Sequence, residues 1–372
     1  MMEGVSSAVR SLPRGPGRSN ARIGGVTLGL CLLALPASAQ TSRLALEAVA
    51  AADGAVDSTV TRKATGWVDL FSAVRITDGV TAVARPLVAR RTFDGGWDFQ
   101  MYELGVRYER GTRTAVRLNL GWQPSPVGQF LLENRPDLNP VVSLNSAYYL
   151  PVPNFERGTP REFLIGAAYP LAATVTVSGA RWDARASVMD RSPLRSTALF
   201  GDADIVKRPN VAVGAGVTPR IGVRFGLAYA HGVYAAKSEV ADPATGDRTG
   251  RVLQGEGEWS WGHTKVNGEY LYSTYETPQG DAVAQGGWVE GKHTLSPRWF
   301  VAGRLDHQWL RWTRESTLVG ASEAYTRAEA IVGYRVTPSL TLRGGYLGRK
   351  GYVVFHWDDQ LVGSVVWALK LR

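Results

Sequence analysis

Residues 337–349 read TPSLTLRGGYLGR. From Leu340 the even positions are Leu340, Leu342, Gly344 and Tyr346, while Thr341, Arg343 and Arg349 stand on odd positions. Extended chain sends successive side chains to opposite faces, so one face of this segment is apolar and the other carries arginine. Thr337-Pro338 ahead of it supplies turn chemistry. The segment reads as a β-strand entered through a tight turn.

The same alternation continues outward from it. Ile221, Val223, Phe225, Leu227 and Tyr229 share a face, with Arg224 and small residues opposite. Tyr102, Leu104, Val106 and Tyr108 oppose Glu103, Arg107 and Glu109, and Leu361, Val365, Trp367, Leu369 and Leu371 share a face near the C-terminus. No stretch carries a convincing 3.6-residue period. The pattern predicts sixteen strands: 42–51, 65–76, 79–91, 97–110, 113–123, 171–179, 182–190 and 209–217, then 220–234, 251–262, 265–276, 284–294, 298–311, 324–335, 339–349 and 358–371. Merging or splitting segments at their ragged ends gives 14–18. Soluble sandwiches use strands of about 5–6 residues, whereas these have the length that crosses a bilayer at a tilt.

Every second connection is short: Asp78-Gly79, Gly111-Thr112, Thr218-Pro219, Gly262-His263-Thr264, Ser296-Pro297 and Thr337-Pro338. The others are mostly longer and polar, as at 191–208 and 235–250. That layout predicts an all-β fold, an antiparallel transmembrane β-barrel of about sixteen strands. Trp299 and Trp309 near opposite ends of one strand, and Trp122, Trp259, Trp261 and Trp367 near other strand ends, fit aromatic girdles at two interfaces.

The chain has 372 residues, 44% of them apolar and 20% charged, with a formal net charge of +9. This composition excludes a disordered chain. Only Ile23–Leu35 forms an apolar run longer than ten residues, which excludes a helical membrane protein whose spans each need about 20. That run follows Arg10, Arg14, Arg18 and Arg22 and ends in Pro36-Ala37-Ser38-Ala39. It predicts a signal peptide over 1–39, cleaved after Ala39, and one barrel domain over 40–372 with net charge +6. Leu30 ahead of Cys31 argues against a lipid anchor, and the single cysteine excludes a disulfide scaffold or a Cys-based metal site. Seven lysines against 35 arginines, with no basic run after Arg22, exclude a nucleic-acid surface.

The longest break in the alternation, 124–170, holds eight of the 19 prolines and must be loop. It reads GWQPSPVGQFLLENRPDLNP over Gly121–Pro140 and SLNSAYYLPVPNFE over Ser143–Glu156. These residues, with the strand layout, resemble the third loop of Gram-negative outer-membrane porins, particularly the phosphate-selective-porin-like superfamily. The resemblance implies a loop folded into the lumen that narrows it, diffusion of small hydrophilic or ionic solutes, contact with outer-membrane lipid and a homotrimer. Such barrels generally end in Phe; this chain ends Leu371-Arg372.

With the apolar face outward, the inward faces carry Arg75, Arg85, Arg107, Arg117, Arg185, Arg224, Arg304, Arg327, Arg335 and Arg343. The inward acids are Asp69, Glu103, Glu109, Asp183, Glu256, Glu258, Asp306 and Glu329, so the wall weakly favours anions. A charge turned to lipid near the midplane costs about 2–4 kcal/mol, so a polar interior is expected. The expected constriction sets the loop carboxylates Glu133 and Asp137 against Arg107, Arg117, Arg224, Arg304, Arg327 and Arg343. No catalytic motif, cofactor or metal site is expected, the five histidines being scattered. Asp306-His307 and Asp358-Asp359 offer the parts of a barrel protease, but adjacent residues on one strand face opposite sides. The expected function is a porin; the competing classes are a non-conducting barrel acting as a structural or assembly partner, and a barrel hydrolase.

Overall fold

The computed structural model describes residues 43–57, 62–90, 96–152, 162–197, 206–240, 246–278, 280–312, 324–351 and 354–371. The leader expected over 1–39 lies outside the described residues. The first eight strands are β1 (Leu44–Asp57), β2 (Arg62–Thr77), β3 (Val80–Arg90), β4 (Trp97–Arg110), β5 (Ala115–Trp122), β6 (Leu171–Ser178), β7 (Trp182–Met189) and β8 (Asn210–Arg220). The remainder are β9 (Val223–Ala235), β10 (Arg248–Trp261), β11 (Thr264–Thr277), β12 (Gly280–Thr294), β13 (Trp299–Trp312), β14 (Ala324–Thr337), β15 (Leu340–Gly351) and β16 (Val354–Leu371). Each pairs antiparallel with its sequence neighbours, and β1 pairs with β16 from Leu46–Leu371 to Asp57–Gln360. The sheet is a closed barrel of sixteen strands, and closure leaves no edge for another chain to extend.

Seven connections at one end span two to four residues, at 78–79, 111–114, 179–181, 221–222, 262–263, 295–298 and 338–339. Leu44 lies opposite Val74, so the chain enters and leaves the barrel at this same short-turn end. One expected turn is displaced. Thr218-Pro219 lies inside β8, which continues to Arg220 through a register shift after Val217, a bulge being a place where proline is tolerated. The turn is Ile221-Gly222, where Gly222 has φ 81 and an added Cβ would stand 2.5 Å from the Ser260 carbonyl oxygen.

The outer face is apolar over the middle of the strands: Val106, Val213, Phe225, Leu227, Leu253, Leu305 and Leu342 are all exposed. Trp182, Trp259, Trp261, Trp299 and Trp367 ring the short-turn end, and Trp97, Trp122 and Trp357 the long-loop end, all exposed. Amphipathic rings stand at both boundaries of an apolar band, as a bilayer interface requires. Trp288 instead faces inward and is buried, its indole donating to Glu269 at 2.9 Å.

Strict alternation also fails at Tyr102. The β3–β4 register shifts between Arg85 and Pro86, opposite Glu103 and Met101 respectively, leaving Tyr102 as the extra residue of a bulge. Tyr102 and Glu103 are both buried, so Tyr102 belongs to the interior rather than to the outer face shared by Leu104 and Val106.

The interior is not polar throughout. In the long-loop half, Leu87, Tyr102, Met189, Tyr234, Val252, Leu271, Tyr275 and Leu310 point inward and form one buried cluster with Val127, Leu131, Tyr148, Leu164 and Ile165 of the segment between β5 and β6. The expectation of a wholly polar lumen fails because this segment brings its own apolar side chains into the barrel.

Candidate functional site

The connection 123–170 leaves β5 as a continuation of the sheet, Gln123 and Ser125 donating backbone bonds to Pro170 and Ala168 at 3.1 Å each. It then turns into the barrel at Gly128, whose φ of 86 lies in the left-handed region. An added Cβ there would stand 2.7 Å from the Tyr148 ring, so only glycine lets the loop close on itself. A 3-10 helix (Gln129–Asn134) and one helical turn (Ser146–Tyr149, capped by the Asn145 side chain) shape its course.

Wall side chains hold this loop by its backbone. The Gly128 N–H donates to Gln254 Oε1 at 2.7 Å. The Val142 N–H donates to Glu329 Oε1 at 2.8 Å, and Ser143 adds its own N–H and hydroxyl to the same carboxylate. Ser146 donates through N–H and Oγ to Asp306 at 3.2 and 2.8 Å. Arg343 donates to the carbonyls of Asn139 and Val141, and Arg304 to the Ser143 carbonyl and Asn139 Oδ1, both at 2.9 Å. Tyr148 donates to Glu269, and burial pushes its hydroxyl well above the usual tyrosine range, so it remains a donor. Each bond satisfies a buried backbone or carboxylate group that would otherwise cost about 1–3 kcal/mol.

The arginines expected at the constriction divide into two sets. Arg304, Arg327 and Arg343 are buried: Arg327 is bound to Asp306 at 3.1 Å, and the other two hold the loop backbone. Arg107, Arg117 and Arg224 line a cavity of about 430 Å³ between the loop and β3–β9, together with Arg185, Glu103, Glu109 and Asp183. There Arg117 pairs with Glu109 at 2.7 Å, and Arg224 with Asp183 and, at 3.1 Å, Glu256. Arg107 donates to Asn119 Oδ1 at 3.2 Å, and among the described residues no carboxylate oxygen lies within 4 Å of it. A second cavity of about 740 Å³ at the short-turn mouth shares Arg107 and Glu109 and adds Arg75, Arg110 and Asp78.

The loop carboxylates are not brought together. Glu133 accepts from Lys265 and Asn267 of β11, both at 2.7 Å. Asp137 accepts from Arg135, whose guanidinium also reaches Glu47 of β1 at 2.8 Å. Both are carried on the infolded loop, yet each is tied to a different wall. Residues that the charge pattern did not single out do much of the positioning: Gln254, Glu269, Lys265, Asn267 and Glu290. Their inward phase on β10–β12 was readable, but they alternate there with Val252, Leu271 and Ala284, so no charged face stood out. On the outer face His307 bonds Thr326 at 2.9 Å while Asp306 is buried, so these two neighbours form no dyad.

No family model and no curated protein sequence matches the chain. Its fold does match solved structures. The anion-selective porin from Comamonas acidovorans superposes with a TM-score of 0.59 at 10% identity, covering 88% of this chain and 99% of that one. Salmonella typhi OmpF gives 0.57 at 11%, covering 88% and 97%. The outer membrane channel DcaP of Acinetobacter baumannii gives 0.57 at 12%, covering 88% and 96%. The chain therefore has the porin-like outer-membrane barrel fold, a closed sixteen-stranded wall with its third loop folded inward.

Proposed function

We propose that the protein is a pore in the outer membrane of a Gram-negative bacterium, not an enzyme, and that it passes small hydrophilic or ionic solutes with a weak preference for anions. The observation that carries this reading is the pair of cavities at the short-turn end, lined by Arg75, Arg107 and Arg110 beside carboxylates such as Glu109 and Asp183 that already have arginine partners. Cations left over in a narrow, polar mouth concentrate anions there. Arg107, Arg117 and Arg224 are the wall residues we assign to solute contact, with Glu133 and Asp137 setting the balance from the loop. Arg304, Arg327 and Arg343 contribute by fixing that loop. A leader cleaved after Ala39 and a homotrimeric assembly belong to the same reading.

The test is planar-bilayer recording of the purified protein. Ohmic steps are expected, with reversal potentials in a salt gradient displaced slightly toward anions. Arg75→Glu with Arg107→Glu displaces them toward cations; Glu133→Gln with Asp137→Asn displaces them toward anions, mainly by releasing Lys265. One observation favours a second reading, a non-conducting structural barrel: the loop packs against the wall through a continuous apolar cluster. Complete electrical silence would select that reading.

Orientation follows from the general arrangement of such barrels, whose short turns face the periplasm. An epitope inserted after Ser238, in the exposed Lys237-Ser238 stretch, should be detected on intact cells, and one inserted at Pro338 only after permeabilisation. Detection of the Pro338 epitope on intact cells reverses the orientation.

A further inference from the structure

We propose that solutes cross the barrel along β2–β5, and that Tyr102, Tyr149 and Tyr169 close this path over Leu87 as a ring gate. The inference rests on the pore reading and adds its route. Inward residues of β3 run Val83, Arg85, Leu87, Ala89. Val83 lines the 430 Å³ cavity on the short-turn side, and Ala89 lines a separate cavity of about 250 Å³ on the long-loop side, together with Trp67, Tyr325 and Gln360. Six residues of strand, about 20 Å, separate the two positions. Between them Arg85 and Leu87 are only 4% and 2% exposed. Two spaces on one wall are thus divided by one buried layer.

Rings make that layer. Tyr102, turned inward by its bulge, stacks on Tyr169 at 4.2 Å with planes 13° apart, and Tyr149 packs against the same cluster. Arg85 lies under Tyr102 at 5.4 Å and bonds Asp69 at 2.6 Å and Glu103 at 3.4 Å. Two carboxylates compensate its charge, so Arg85 serves as the floor of the stack rather than as a site for a free anion. The loop is held unequally. Toward β10–β15 its backbone is fastened by Gln254, Glu329, Asp306 and Arg343, and opening that side means breaking several buried hydrogen bonds. On the β2–β5 side Tyr169 closes the path by stacking on Tyr102 with Tyr149 packed beside them, contacts that rotation about side-chain torsions can undo. The path of lower resistance runs past the rings.

The experiment uses Leu87→Cys in the mature chain, whose residues 40–372 contain no other cysteine. Its reaction with a water-soluble methanethiosulfonate reagent is followed beside single-channel conductance. Leu87→Cys is expected to react slowly; adding Tyr169→Ala speeds it by about tenfold and at least doubles conductance, as removal of a narrow apolar barrier requires. Tyr102→Ala, on the wall side of the stack, gives the same result independently, and Tyr272→Ala, on the outer face of β11, changes neither readout. If the wild type conducts but the ring substitutions alter neither readout, the gate is wrong and the pore stands. Silence in every variant overturns the pore, and the route with it.

Discussion

A barrel lacking residues 127–166, with Pro126 joined to Ala167 by a short Gly-Ser bridge, should conduct about tenfold more current than the intact protein, because sixteen strands enclose an aqueous lumen unless something fills it. What fills it is this loop. Its Val127, Leu131, Tyr148, Leu164 and Ile165 supply one side of the interior cluster and the wall supplies the other. The junction is chosen so that the Ser125–Ala168 backbone bond, the last rung of the β5–β6 ladder, is retained. The wall charges that hold the loop, Glu329, Asp306 and Arg343, would then face water and need no protein partner. Single-channel recording decides the matter. Unchanged current in a deletion variant that still shows heat-modifiable migration places the resistance elsewhere in the barrel.

The second large effect concerns the wall. Leu227→Arg, and separately Leu305→Arg, should prevent assembly of heat-modifiable barrels. Leu227 lies mid-strand in β9, 65% exposed, and Leu305 mid-strand in β13, 53% exposed. A guanidinium at that depth costs about 2–4 kcal/mol, a large fraction of the usual margin of about 5–15 kcal/mol. Thr176→Arg, whose side chain lines the interior cavity, should assemble normally and so controls for the arginine itself. Normal barrels from both outward variants show that the register has been read one residue out.

The wall was legible because period 2 is a local property. The phase that puts Leu342 outside and Arg343 inside needs no knowledge of the partner strands, and the sixteen strands match the alternating segments one for one. What local reading lost were the places where the phase slips. Tyr102 follows a bulge whose cause lies in the pairing of β3 with β4, and Pro219, read as a turn, sits at another. The loop itself was implied by its prolines and its inward course by resemblance alone, but its apolar packing was hidden, since Leu131 or Ile165 in an irregular segment carries no periodic signal. For the same reason the arginines looked equivalent in sequence. Arg107 faces a cavity and Arg343 is capped by loop carbonyls, a difference created by residues about 200 positions apart.

The seam between β1 and β16 sets a condition on how the barrel comes into being. Leu46 and Leu371 are more than 300 residues apart, so the last ladder can form only after the whole chain is available. Until then both strands present unpaired backbone, a template for pairing with other chains, and such distant pairing is intrinsically slow. Synthesis and closure are therefore separated by an interval in which the chain needs escort to the membrane. A product truncated before Val354 never leaves that interval: β1 keeps an open edge, and aggregation or proteolysis rather than a smaller pore is its fate.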